Sequence, residues 1–103
     1  MSARVVTSPQ ADDDIRAIDT WWRENRPAAR GLFADELTQA MILLAGSPDL
    51  GRPYRASGVA SVQRLILRAT RYHIYYVSDG ALVTVLAVWS AVRGRGPRFP
   101  RPR

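Results

Sequence analysis

The chain is 103 residues long, 47% hydrophobic and 23% charged, which allows one small folded domain with a thin core and lies outside the composition of disordered chains. It has no cysteine and a single histidine, His73, so it offers no disulfide framework, thiolate metal site or cysteine nucleophile, and too few ligands for zinc or a Ser/His/Asp triad. The net charge of +6 is split: residues 1–51 hold five arginines and eight acids, net −3, while residues 52–103 hold ten arginines and one acid, Asp79, net +9.

All fifteen cations are arginine, the better fork for phosphate and carboxylate, and the basic second half predicts an anionic partner. No metal or cofactor is expected. The amino terminus lacks the apolar stretch of a signal peptide, and no run approaches the ~20 apolar residues of a membrane span. A cytoplasmic protein with no membrane partner is the expectation.

Arg4–Thr7 is a short, β-branched run suited to a first strand, and Ser8-Pro9 reads as an N-cap with proline at the first helical position. Asp12, Asp13 and Asp14 follow where the helix dipole favours acids, and Ile15, Ile18 and Trp22 recur at i, i+3 and i+7. Proline disfavours helical geometry in its predecessor, so the helix should stop near Arg26-Pro27. A second helix carries Ala29, Phe33, Leu37, Ala40 and Leu44 on one stripe, with Glu36 and Gln39 off it, and Gly46-Ser47-Pro48 ends it. So short a link predicts an antiparallel helical hairpin with the tryptophans and Phe33 near its shared end.

Glycines and prolines punctuate residues 46–61, and no regular structure is expected there. Three strand-like runs follow, at 62–68, 71–78 and 81–90, the last two joined at Asp79-Gly80, a strong hairpin signal. The predicted order is β-α-α-β-β-β, an α+β domain with the helical hairpin on one face of a small twisted antiparallel sheet. Its extent is 1–92, with 93–103 a basic, Pro/Arg-rich tail. Alternation places Gln63, Leu65 and Leu67 opposite Arg64, Ile66 and Arg68, and Tyr72, Ile74 and Tyr76 opposite Arg71, His73 and Tyr75. The run 81–90 is apolar on both faces and suits an interior strand. The sheet face away from the helices is expected to be open and basic.

Two long segments, DIRAIDTWWRENRPAARGLFADELTQAMILLAGSPDLGRPYR (14–55) and VQRLILRATRYHIYYVSDGALVTVLAVW (62–89), carry a recognisable series. An acidic helix start leads to an aromatic, then come F-x-x-E-L from Phe33 to Leu37 and S-P-x-x-G from Ser47 to Gly51. A tyrosine-rich strand after Arg71 and a final V-x-V strand complete it. The whole resembles the RelE/ParE superfamily of toxins from type II toxin–antitoxin pairs. That resemblance implies a small toxin held inactive by a cognate antitoxin, which has a DNA-binding amino-terminal domain and an acidic carboxyl-terminal segment that folds on the toxin. Operator DNA would be bound only through that complex.

The superfamily implies two chemistries: ribosome-dependent mRNA cleavage of the RelE type and gyrase poisoning of the ParE type. RNA cleavage by a 2′-hydroxyl needs a base, a cation for the phosphate and an acid. Arg64 falls at the family's middle-strand arginine, and Arg68, Arg71 and His73 are the other candidates should the chain be a nuclease. After the last strand, where nuclease relatives place a histidine or basic residue and then a tyrosine, this chain reads Ser90-Ala91-Val92-Arg93, with neither tyrosine nor histidine beyond. The ParE-like reading is therefore favoured, with Arg64, Trp89, Arg93, Arg95 and Arg98 contacting the target, DNA gyrase. Trp21, Trp22, Arg68 and Arg71 are the candidates for antitoxin contact.

Each assignment has a plainer counterpart. The strand arginines can be solvated, one of the adjacent tryptophans belongs to the core, His73 can be an ordinary strand histidine, and Trp89 can be core or rim. A non-catalytic nucleic-acid-binding module, or a toxin that only binds its antitoxin, is the remaining alternative.

Overall fold

The computed structural model describes residues 2–55, 58, 61–93, 96, 97 and 99. Strand β1 (Arg4–Thr7) leads through Ser8 into helix α1 (Pro9–Asn25), a 3-10 turn (Pro27–Ala29) and helix α2 (Leu32–Gly46). Strands β2 (Arg52–Pro53), β3 (Gln63–Leu67), β4 (Tyr72–Ser78) and β5 (Leu82–Ser90) follow, and β5 leads into a 3-10 turn, Ala91–Arg93.

The helix boundaries follow from local chemistry. Ser8 has extended backbone geometry and its Oγ accepts the Ala11 N–H at 3.1 Å, with Pro9 at the first helical position. Pro27 stops α1, and a 3-10 turn bridges to α2. Phe33, Leu37, Ala40 and Leu44 are the buried residues of α2, four of the five on the predicted stripe. Trp22 and Phe33 meet through a third ring: Trp22 Nε1 donates to the Tyr72 hydroxyl at 3.1 Å, and Phe33 packs edge-on against Tyr72 at 5.1 Å between centroids.

The sheet order is β1-β5-β4-β3-β2. It is mixed and not antiparallel throughout, because β1 runs parallel to β5, from Arg4 opposite Leu82 to Thr7 opposite Val85. Residue patterns give strand faces but not partners, and only the helical crossover lets the first strand lie beside the last in this sense. A second difference is β2, which falls in the segment expected to be irregular. It is two residues long, too short for alternation to register, and sets Arg52 opposite Arg64 and Pro53 opposite Gln63. The Asp79-Gly80 turn forms as expected, with Gly80 at φ +91° and the Asp79 carboxylate accepting the N–H groups of Ala81 and Leu82.

The helix-side face holds the main core, in which Phe33, Leu44, Ile74, Tyr76, Val83 and Val85 are fully enclosed. Ile15, Ile18 and Trp22 of α1 pack on it. Tyr75 opposes Ala87 but Tyr76 opposes Val85, so Leu86 is an extra residue and β5 bulges there. The bulge reverses the alternation: Val83, Val85 and then Val88 face the helices, while Leu86 and Ala87 both face away.

The far face is not left open. Tyr54, Val62, Tyr75 and Ala87 form a second buried cluster there, joined by Val77, Leu86, Trp89 and Phe99. The Tyr54 hydroxyl donates to the Pro97 carbonyl at 3.1 Å, and the rings of Tyr75 and Phe99 lie 6.3 Å apart. Gly96 comes so close that a Cβ on it would stand 2.1 Å from the Tyr54 hydroxyl. The expectation of a bare basic face fails because its apolar cover comes from a loop tyrosine and from residues beyond β5.

Candidate functional site

Cross-strand register brings three of the chemistry-bearing side chains onto the far face. Arg64 sits opposite Tyr75, and His73 lies between Ile66 and Trp89 on the neighbouring strands. The Arg64 guanidinium lies 5.7 Å from the centre of the Tyr54 ring and within hydrogen-bonding reach of the Tyr75 hydroxyl. His73 Nδ1 is 3.4 Å from that same hydroxyl. Burial, helped by the Arg64 charge, pushes the His73 imidazole below its usual pKa. Burial and the neighbouring Tyr54 push the Tyr75 phenol up, against the opposing pull of Arg64.

A cation, an imidazole and a phenol within a few ångströms are the ingredients of phosphodiester cleavage. Here they are stacked as structure. Tyr75 is 1% exposed, with Tyr54 edge-on at 4.6 Å and Gly96 and Phe99 beside it. Among the described residues, these groups cover the Tyr75 side chain almost completely.

Arg68 and Arg71 do not join Arg64. Both occupy the exposed turn between β3 and β4, not the strands. Arg71 closes that turn with φ +63°, its N–H bonded to the Leu67 carbonyl at 2.9 Å and its own carbonyl accepting the Ala91 N–H at 2.8 Å. The turn is held by Glu36, which lies off the apolar stripe of α2 and is the acid of the F-x-x-E-L series. Its carboxylate accepts the backbone N–H groups of Ala69 and Thr70 and the Thr70 hydroxyl. Burial raises the Glu36 pKa, but these three donors outweigh it and hold the group below the usual carboxylate range.

A groove of about 850 Å³ runs between α1 and this end of the sheet, walled by Trp21, Trp22, Arg26, Arg71, Trp89 and Val92 among others. The two adjacent tryptophans divide as expected: Trp22 packs on the core, while Trp21 is 46% exposed with its ring 5.8 Å from its neighbour. Past Thr7, no strand among the described residues lies beside β5 on this side, and α1 satisfies part of the edge. Asp14 accepts the Val88 N–H at 3.0 Å and Ser8 Oγ donates to the Leu86 carbonyl at 3.0 Å. Asp14 thus does more than favour the helix dipole.

Trp89 forms part of both the second cluster and the groove wall. Arg93 ends the 3-10 turn after β5, but its side chain is outside the described part of the structure, and Arg95 and Arg98 lie outside the described residues altogether. Among the described residues no group of acids and histidine could hold a metal ion, and no helix is long and apolar enough to cross a membrane.

Comparison with known proteins agrees with this architecture. The profile of the family described as ParE toxin of type II toxin-antitoxin system, parDE, matches residues 5–94. A chain from the solved structure of a chromosomal ParDE TA system from P. aeruginosa superposes with a TM-score of 0.68 at 17% identity, covering 86% of this chain and 96% of that one. No curated protein gives a match.

Proposed function

Because the chain belongs to the ParE toxin family of type II toxin–antitoxin systems, we propose that it arrests growth by binding DNA gyrase and trapping it on cleaved DNA. In this reading it works in the cytoplasm and catalyses no bond cleavage. The observation that carries the reading, beyond the family itself, is the enclosure of Tyr75. Arg64 and His73, the groups that would have to serve a phosphate were the chain a nuclease, are here packed around a phenol 1% exposed. A cognate antitoxin with an acidic segment would neutralise the toxin along the groove of Trp21, Trp22 and Arg71, with Arg68 on the adjoining turn, and would carry the complex to operator DNA. Target contact falls to Trp89 and the arginines after β5, Arg93, Arg95 and Arg98, with Arg64 contributing at the far face.

The test is induction of the chain in cells, with gyrase supercoiling and cleavage assays run beside an mRNA-cleavage map in a ribosome-containing extract. Accumulated gyrase-linked breaks with intact mRNA are expected, and loss of toxicity on deleting residues 93–103. Cleavage of mRNA abolished by Arg64→Ala would instead establish the nuclease reading. Full toxicity without residues 93–103 would remove the tail from the target interface. Absence of both activities, with antitoxin binding intact, would leave an inactive toxin.

A further inference from the structure

Tyr54 is where separate stretches of the chain meet. Its N–H bonds to the Val62 carbonyl at 2.8 Å, just before β3, the Arg64 guanidinium lies 5.7 Å from its ring centre, and the ring stands edge-on to Tyr75 of β4 at 4.6 Å. Its buried hydroxyl donates to the Pro97 carbonyl at 3.1 Å, 43 residues along the chain. The loop that carries Tyr54 is itself fixed. Tyr76, in the main core, donates its hydroxyl to the Pro48 carbonyl at 2.9 Å and accepts the Gly51 N–H at 2.8 Å. A Cβ on Gly51 would stand 2.6 Å from that hydroxyl, so only glycine lets the loop close here.

The chain beyond β5 is drawn back over the far face to meet this ring. β5 ends at Ser90, opposite Tyr72, yet Gly96 lies beside Tyr75, whose partner on β5 is Ala87. Pro97 is buried, and Phe99 packs on the cluster of Tyr54, Tyr75 and Ala87. A Cβ on Gly96 would collide with the Tyr54 hydroxyl and stand 2.9 Å from that of Tyr75, so the close approach requires glycine. From Arg93 the sequence reads R-G-R-G-P-R-F-P, a composition with no helix or strand pattern. Holding such a stretch in one place costs conformational entropy, which its contacts with Tyr54 and Tyr75 must offset.

We propose that Tyr54 is a positioning residue for target contact: it anchors Gly96 and Pro97 to the sheet and so presets the backbone between Arg95 and Arg98. The anchored point lies between these two arginines in the sequence. Trp89 packs on the same cluster, so the strand residue and the segment beyond β5 that together form the proposed target surface are gathered on one patch. Groups preset in this way bind at a lower ordering cost than the same groups on a free chain. The inference rests on the reading that the residues beyond β5 contact the target, and not on which target that is.

Two variants of the full chain act on the anchor. Tyr54→Phe keeps the ring and removes the hydroxyl, while Gly96→Ala forces the segment away from it. Trypsin cuts after arginine, so its rate after Arg95 and Arg98 reads how often the segment opens. Tyr54→Phe should raise that rate about fivefold, the worth of one hydrogen bond, and Gly96→Ala about tenfold or more, while the rate after Arg30, on the helix side, stays the same. Growth arrest is then read over graded induction, and both variants should need more toxin for half-maximal arrest, in the same order. Glu36→Gln, which loosens the fold away from this face, should match the wild type, and circular dichroism checks that every variant folds. Unchanged cutting after Arg95 and Arg98 overturns the proposal, as does faster cutting with unchanged arrest, which would make Tyr54 a purely structural residue. So does an equal loss of potency in Glu36→Gln, the mark of general destabilisation, or stronger arrest by the variants, which would mean that the anchored segment restrains the toxin. Failure of the gyrase reading is seen separately, as arrest without gyrase-linked breaks, and a wild type that arrests no growth overturns both.

Discussion

The two faces of the sheet are filled by different means. On the helix side, two helices lay Phe33, Leu37, Leu44 and Trp22 across Ile74, Tyr76, Val83 and Val85, and the contact is mainly apolar, with polar bonds at its margins from Trp22 to Tyr72, Asp14 to Val88 and Glu36 to the β3–β4 turn. On the far side, single residues from a loop, two strands and the segment beyond β5 assemble around Tyr75, with a guanidinium and an imidazole built into the packing. A face covered by helices gains its stability from area removed from water. A face covered by scattered residues gains less, and keeps charged groups within reach of the surface. The first holds the molecule together, and the second carries a guanidinium and an imidazole in its packing.

This contrast breaks most visibly at Phe33. Its side chain is fully buried between α2 and Tyr72, and Phe33→Ala should cost about 3–5 kcal/mol by removing transfer energy and leaving a cavity. That is a large part of the roughly 5–15 kcal/mol typical of a folded domain, so urea unfolding should find the variant's midpoint much lower than that of the wild type. A loss below about 1 kcal/mol would mean that the helix layer is not the main source of stability.

The seam between the layers is the next largest effect. Glu36 reaches from α2 to the β3–β4 turn, and Glu36→Gln keeps the shape while weakening three hydrogen bonds to a carboxylate. For a partly solvated group the expected loss is about 1–2 kcal/mol at pH 7. The pH dependence gives a sign. Because the folded pKa is depressed, the carboxylate contributes its full stability above its unfolded pKa, and the contribution is lost as pH falls through the folded value. The gap between wild type and Glu36→Gln in denaturant midpoint should therefore be constant near neutrality and close in acid. A gap that widens in acid would contradict the clamp.

How far each face was legible in the sequence follows the same division. The helix-side core repeats with a period: every third or fourth residue on α1 and α2, every second on β4, so Ile18, Trp22, Phe33, Leu44, Ile74 and Tyr76 could all be placed from spacing. Ser8-Pro9, Arg26-Pro27 and Asp79-Gly80 are local signals, and the elements begin and end within a residue or two of them. The far face has no period. Tyr54 stands alone among glycines and prolines, Phe99 lies in a Pro/Arg-rich run, and each acquires meaning only when register sets Arg64 beside Tyr75. The bulge at Leu86 also breaks the alternation of a strand whose residues are apolar on both sides, so nothing in its composition marks the reversal. Arg68 and Arg71 went astray because alternation was extended past Leu67 and before Tyr72, into a turn where it does not apply. Glu36 belongs to the F-x-x-E-L series, but its hold on the turn is not legible there, because a helix pattern ranks residues by burial and says nothing about a carboxylate meeting the ends of another hairpin.

Tyr76 links the two faces, since its ring is in the main core and its hydroxyl fixes the loop that carries β2. Tyr76→Phe keeps the ring, so the loss should be about 1 kcal/mol, the worth of the hydroxyl's hydrogen bonds. The effect should be local. Hydrogen exchange should quicken at Gly51 and in the β2–β3 ladder while β4 and β5 stay protected. Uniform loss of protection would show that β2 belongs to the global cooperative unit.

The smallest expected change in stability is also the sharpest test of the second face. Phe99 is only partly buried and packs on the smaller cluster, so Phe99→Ala should cost less than about 1 kcal/mol. Its consequence lies in the titration of Tyr75, whose pKa is raised chiefly by burial, then by Tyr54, with Arg64 opposing. Removing the Phe99 ring admits water to the phenol, and the Tyr75 pKa should fall toward the ordinary tyrosine value. Because His73 is the single histidine, its imidazole resonances give an independent readout of the same face. Admitted water should lift its depressed pKa toward the usual value, since burial is the main cause there too. If both groups move while the denaturant midpoint barely changes, the far face is a cover laid over charged groups and separable from the core. If neither moves, the enclosure of Tyr75 is owed to Tyr54 and the strands alone, and the residues beyond β5 add nothing to it.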